Sequence, residues 1–158
     1  MTNATANAKL IESFYTAFDR HDGDAMAACY TPDATFSDAV FIDLKNGEPG
    51  AMWRMLTARA DDLKVELVEH DAGEETGTAH WLADYTFTQT GRKVHNDVRA
   101  SFRFEGGLIA QHLDEFSFHA WAKQALGPMG LLLGWTPIVS GATRRKARAG
   151  LDEFIASA

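Results

Sequence analysis

HWLADYTFTQTGRKVHNDVRASFRFEGGLIAQHLDEF, residues 80–116, decides the fold. Apolar and polar residues alternate through it with a period of two. Trp81, Ala83, Tyr85 and Phe87 share one face, and His80, Asp84, Thr86 and Thr88 take the other. In the next run Val94, Asn96, Val98, Ala100, Phe102 and Phe104 oppose Lys93, His95, Asp97, Arg99, Ser101 and Arg103. One oily face on each of two successive runs is the pattern of antiparallel strands that bury one side only. The third run breaks the pattern in a useful way. Its inner face reads Ala110, His112, Asp114, Phe116 and Phe118, so an imidazole and a carboxylate sit among phenylalanines.

Turn chemistry sets an expected register. TGRK offers Gly91-Arg92 as a two-residue turn with glycine first. It pairs Phe87 with Asn96, Tyr85 with Val98, Ala83 with Ala100 and Trp81 with Phe102. FEGGL offers two solutions. A three-residue turn over Glu105-Gly106-Gly107 pairs Phe102 with Ala110, Ala100 with His112 and Val98 with Asp114. A two-residue turn at Gly106-Gly107 turns His112 to the charged side and brings Gln111 and Glu115 inward. The first is preferred, because it keeps the apolar faces together. The resulting row, Ala83–Ala100–His112, leaves a gap beside the imidazole, since neighbouring strands lie roughly 4.8 Å apart.

Upstream the period is helical. Leu10, Ile11, Phe14, Tyr15 and Phe18 predict an amphipathic helix over about residues 6–19. A short helix over about 24–30 should stop before Pro32. ATFSDAVFI reads as extended, and NGEPG starts a third helix with Pro49 in its first turn, running to about residue 60. Helices with a curved antiparallel (mixed) sheet wrapped around them make an α+β fold, cone-shaped with an internal pocket. Beyond it, AWAKQAL and a final helix over about 141–156 form a C-terminal helical extension. The expected organisation is a cone domain over residues 1–118 with residues 119–158 packing on it. Trp121, Leu131, Leu132, Leu133 and Trp135 are expected to lie over the open end of the cone.

Composition narrows the function. The chain has 158 residues, 46% of them hydrophobic, and a net charge of −7. An acidic chain lacks the basic footprint that nucleic acid requires, and TRRKARAG reads as a solvated helix face. The lone Cys29 rules out an internal disulfide and reads as a buried thiol. MTNATANAKL has no apolar signal core, and LLLGW is too short to span a bilayer, so the expectation is a cytoplasmic protein with no membrane partner. His80, His95, Asp97 and Arg99 lack metal-ligand spacing and fall on the outer face. No metal or cofactor is expected.

With these elements in order, the chain resembles the nuclear-transport-factor-2-like superfamily over about residues 6–118. That superfamily is the α+β cone shared by ketosteroid isomerase, scytalone dehydratase, limonene epoxide hydrolase and the SnoaL-type polyketide cyclases. The segments that carry the resemblance are PDATFSD, FTQTGRKV, ASFRFEGG and IAQHLDEF. It is nearest to the SnoaL-like and ketosteroid isomerase-like group. QHLD is similar to the EHWD of the cyclases, which implies Asp114 as general acid/base and His112 as its orienting or proton-sharing partner. Asp38, ending DATFSD, is similar to the proton-moving aspartate of the isomerases. Their oxyanion donors fall here on Phe14 and Ala100, so the resemblance does not extend to isomerase chemistry proper. RAS keeps Arg99 but not the aspartate of the epoxide hydrolases. The resemblance further implies a cavity walled by the third helix, with Trp53 available to stack on a ligand, and a homodimer formed through the outer sheet face.

The expected pocket residues are then Tyr85, Asn96, Trp53, Phe14, Trp81, Ala100, Phe102 and Phe116, around Asp114, His112 and Asp38. Three functions fit. The first is cofactor-free acid/base chemistry, of isomerase, cyclase or dehydratase type, on an apolar carbonyl-bearing substrate. The second is non-catalytic binding of a small apolar ligand. The third is a dimeric interaction module.

Overall fold

The computed structural model describes residues 2–158. Three N-terminal helices, α1 (Asn3–Asp19), α2 (Gly23–Ala27) and α3 (Glu48–Arg59), pack on one face of a five-stranded sheet. The strands are β1 (Tyr30–Ser37), β2 (Lys64–Ala72), β3 (Thr76–Phe87), β4 (Arg92–Glu105) and β5 (Leu108–Glu115), in the order β1-β5-β4-β3-β2. β1 runs parallel to β5, and the other pairs are antiparallel. The fold is α+β with a mixed sheet.

Local chemistry explains the helices. Thr2 caps α1 by accepting a hydrogen bond from the Thr5 N–H at 3.1 Å, and Ile11, Phe14, Tyr15 and Phe18 form the buried stripe. α3 begins after Gly47, whose φ of +81° suits glycine, and carries Pro49 in its first turn.

The two hairpins differ from expectation. β3 and β4 are joined by the four residues between Phe87 and Arg92, not by Gly91-Arg92. The Gly91 N–H bonds the Phe87 carbonyl at 2.8 Å, and Gly91 closes the loop with a φ of +73°. Trp81 therefore faces Val98, Ala83 faces Asn96 and Tyr85 faces Val94. The slip from the expected register is four residues. An even slip leaves every side chain on its own face.

Between β4 and β5 the turn is the two-residue one at Gly106-Gly107, with φ of +58° and +81°. This is the solution that should have turned His112 outward. A β-bulge prevents it. Glu105 pairs with Leu108 and Phe104 with Ile109, the register then shifts, and Arg103 pairs with Gln111. Ile109 and Ala110 are both buried, and the extra residue restores His112 and Asp114 to the inner face. Asp114, not His112, is the residue opposite Ala100.

The segment after β5 also departs from expectation. The strand stops at Glu115, and Ser117 caps helix α4 (Phe118–Leu126) by accepting from the Ala120 N–H at 3.1 Å. α5 (Pro128–Leu133) and α6 (Pro137–Ser157) follow. Leu132, Trp135 and Ile138 are 68%, 71% and 81% exposed, and Leu131 and Leu133 are exposed as well. They do not lie over the cone. Trp121, buried on Val94, does line the cavity as expected, and α6 rather than the leucine run covers the rest of the open end. The Arg144 Nε holds α6 down by donating to the Ala39 carbonyl at 3.0 Å, and Arg148 pairs with Glu48 of α3. Among the described residues no helix is long and apolar enough to cross a membrane.

Candidate functional site

Between α3, the concave face of the sheet, α4 and α6 lies a cavity of about 690 Å³. Its wall is mostly apolar, with few polar groups, as small-molecule sites are. Asp38, Asp114, Trp53, Trp81, Tyr85, Asn96 and Phe116 all line it. Phe14, Ala100 and Phe102 do not; they stand in the packed layer behind the wall. Phe14 is fully buried, edge-on to Trp53 and His112 with ring centroids 5.7 Å apart in each case. His112 is also behind the wall, and only Asp114 reaches the cavity.

The hydrogen bonds behind Asp114 form one chain. The Trp53 Nε1–H donates to the Tyr30 hydroxyl at 2.7 Å. That hydroxyl lies 2.7 Å from the His112 Nδ1, and the His112 Nε2 lies 2.8 Å from the Asp114 Oδ1. An indole nitrogen can only donate, so the Tyr30 oxygen accepts there. An ionised carboxylate can only accept, so with Asp114 ionised and the imidazole neutral the Nε2 carries the hydrogen donated to Asp114, and the Nδ1 accepts from the Tyr30 hydroxyl. The chain thus runs in one direction, from indole to phenol to imidazole to carboxylate, and every link is buried. His112 and Asp114 are 1% and 3% exposed. The second oxygen of Asp114 has no protein donor among the described residues. His112 orients the carboxylate and Asp114 presents it.

The sequence reading missed Tyr30. It assigned residues up to about 30 to α2, but that helix ends at Ala27, and Tyr30 opens β1. The parallel pairing of β1 with β5, irregular between Tyr30 and Thr35, brings its ring to His112. The available signal was Pro32, which fits an edge-strand irregularity as well as a helix stop.

Asp38 faces the same cavity from the end of β1. Its Oδ1 accepts from the Val40 and Phe41 N–H groups at 2.7 and 2.6 Å, an Asx-type turn that aims the carboxyl. Burial pushes its pKa up to about 7. The two backbone N–H groups and Arg144 oppose the rise, and the charge of Asp114 adds to it. A group near 7 is partly protonated at neutral pH and can serve as an acid.

This shift makes a stability prediction. Between the ordinary aspartate value of 3.8 and about 7, the unfolded chain has lost a proton that the folded chain keeps, so stability falls as pH rises through that window. Asp38→Asn keeps the acceptor oxygen but cannot ionise. Urea midpoints of the two proteins should diverge in favour of the variant from pH 4 to 7 and stay parallel above. A constant difference across the range would contradict the raised pKa.

On the outer face His80 meets Asp97 and His95 meets Asp84, each at 2.7 Å, and Arg99 lies 3.6 Å from Glu69. Among the described residues no three His, Cys, Asp or Glu side chains gather as a metal site. Cys29 is buried, and burial pushes its thiol up to about 11, which suits packing and not nucleophilic attack.

The model of the SnoaL-like domain matches residues 11–112. No curated protein matches the chain. Among solved structures, an epoxide hydrolase of M. tuberculosis like limonene epoxide hydrolase is similar at 19% identity and a TM-score of 0.64, over 87% of this chain and 98% of its own. A proposed polyketide cyclase of Xanthomonas campestris pv. campestris is 18% identical with a TM-score of 0.67, over 78% and 98%. A Catenulispora acidiphila protein with a ketosteroid isomerase-like fold, solved with trimethylamine, is 17% identical with a TM-score of 0.66, over 81% and 97%. At these identities the likeness is one of fold, and fold alone does not carry function.

Proposed function

The chain belongs to the SnoaL-like domain family, and on that premise we propose that it is an enzyme moving protons on an apolar, carbonyl-bearing small molecule without a cofactor. The observation that supports this best is the one-way hydrogen-bond chain ending on Asp114. A buried carboxylate in a mostly apolar cavity, held from behind by an N–H, is a directed base. In the reaction its free oxygen takes a proton from the carbon next to the substrate carbonyl. Asp38, partly protonated near neutrality, faces the same space and returns a proton elsewhere on the product. Isomerisation, ring closure and dehydration all use this pair of transfers.

Proton exchange tests the reading without the natural substrate. 2-Tetralone in D₂O should take up deuterium next to its carbonyl faster with the protein than with buffer alone, followed by NMR. Binding of the ketone with no acceleration would favour the non-catalytic alternative, a binding protein for an apolar ligand.

A further inference from the structure

A second tryptophan–tyrosine pair stands on the other side of the cavity. The Trp121 Nε1–H donates to the Tyr85 hydroxyl at 2.8 Å. By the same logic as at Tyr30, the Tyr85 oxygen is the acceptor, and its own hydrogen must point elsewhere. The Tyr30 hydrogen goes to His112. The Tyr85 hydrogen has no acceptor among the described residues, and Tyr85 lines the cavity together with Asp114 and Asp38.

We propose that the Tyr85 hydroxyl donates a hydrogen bond to the substrate's carbonyl oxygen, with Trp121 as the residue that fixes its direction. This rests on the acid/base reading above. A base that takes a proton beside a carbonyl leaves negative charge on the oxygen, and an aimed donor stabilises that charge as it develops. The donated indole hydrogen bond polarises the phenol and strengthens the bond it makes in turn. Burial pushes the Tyr85 hydroxyl above its ordinary pKa, and the charge of Asp38 adds to the rise, so the phenol keeps its proton at neutral pH. Asn96 lines the same cavity, but among the described residues none holds its side-chain amide in one orientation.

The proposal also gives the C-terminal helices work at the site. Trp121 is buried in a cluster with Val94, and its ring lies 5.4 Å from that of Phe87. Helix α4 is tied to β4 like an added edge. The His95 N–H donates to the Gln124 Oε1 at 2.8 Å, and the Gln124 Nε2 donates to the His95 carbonyl at 3.0 Å. Trp121 is therefore anchored on the strand beside Tyr85 before any ligand arrives.

2-Tetralone and tetralin share a ring skeleton and differ by the carbonyl oxygen. Tyr85→Phe in the full chain should weaken 2-tetralone roughly tenfold, the loss of one hydrogen bond, and leave tetralin unchanged. The infrared carbonyl stretch of bound 2-tetralone should be lowered in the native protein and return towards its apolar-solvent position in Tyr85→Phe. Trp121→Phe, which keeps a ring but no N–H, should lie between. Equal effects of Tyr85→Phe on both ligands, or none on either, would overturn the donor role while leaving the exchange result standing. An unchanged carbonyl stretch in Trp121→Phe would overturn its part. Failure of the native protein to bind either ligand would remove the cavity reading and this proposal with it.

Discussion

Asp114→Asn should slow deuterium uptake into 2-tetralone by roughly 10²- to 10⁴-fold, the range a positioned general base contributes. Affinity for the ketone should change by no more than about twofold, because the lost function is realised in the transition state and not in binding. The substitution suits the site. The asparagine oxygen still accepts the His112 Nε2–H, and its amide occupies the position of the free carboxylate oxygen without basicity. Urea midpoints should confirm that the variant is folded. An exchange rate within about threefold of native would remove Asp114 from the base role. Asp38→Asn is the informative companion. Asp38 is a cavity-wall carboxyl held by the Val40 and Phe41 N–H groups, so its loss should reduce exchange less and alter the pH profile near 7.

How much of this was legible depended on whether a feature is local. The faces of β3 and β4 follow from a period of two, and that period survives any even slip in register. Trp81 and Tyr85 therefore read as inward even though the pairing expected for them was four residues off. The register itself depended on whether TQTG folds into a four-residue loop, and the sequence favours a Gly91 turn equally well. His112 is a sharper case. The two-glycine turn is the strong local signal, and taken alone it faces His112 outward. The inward placement depends on a bulge beside Ala110, whose sequence trace is the run of three apolar residues, Leu108 to Ala110, that opens an otherwise alternating strand. Asp38 was readable through resemblance alone, because its raised pKa comes from being enclosed. Tyr85 read as a pocket residue, but its partner was not legible, and Tyr30 was not singled out at all. Tyr30 meets a histidine 82 positions away and Tyr85 a tryptophan 36 positions away, and neither contact has a periodic signature.

The largest stability effect should come from His112→Ala, about 3–5 kcal/mol. Two losses combine in it. The imidazole side chain is fully enclosed, with the rings of Phe102 and Phe36 at 4.5 and 4.8 Å between centroids, so truncation leaves a void that packed neighbours cannot fill. It also strands polar groups on both sides. Tyr30 loses the acceptor for its hydroxyl hydrogen, and Asp114 loses its one side-chain donor while staying buried. For a chain of this length each kcal/mol corresponds to roughly 2–4 °C, so the melting temperature should fall by about 6–20 °C. The two causes separate in a double variant. Asp114→Asn removes the stranded charge but not the void, so His112→Ala in that background should cost at least about 1 kcal/mol less than in the native chain. Equal costs in both backgrounds would mean that His112 acts by packing alone and that the carboxylate does not depend on its hydrogen bond. A cost below about 1 kcal/mol in the native background would mean that the indole–phenol–imidazole–carboxylate chain does not hold the site together.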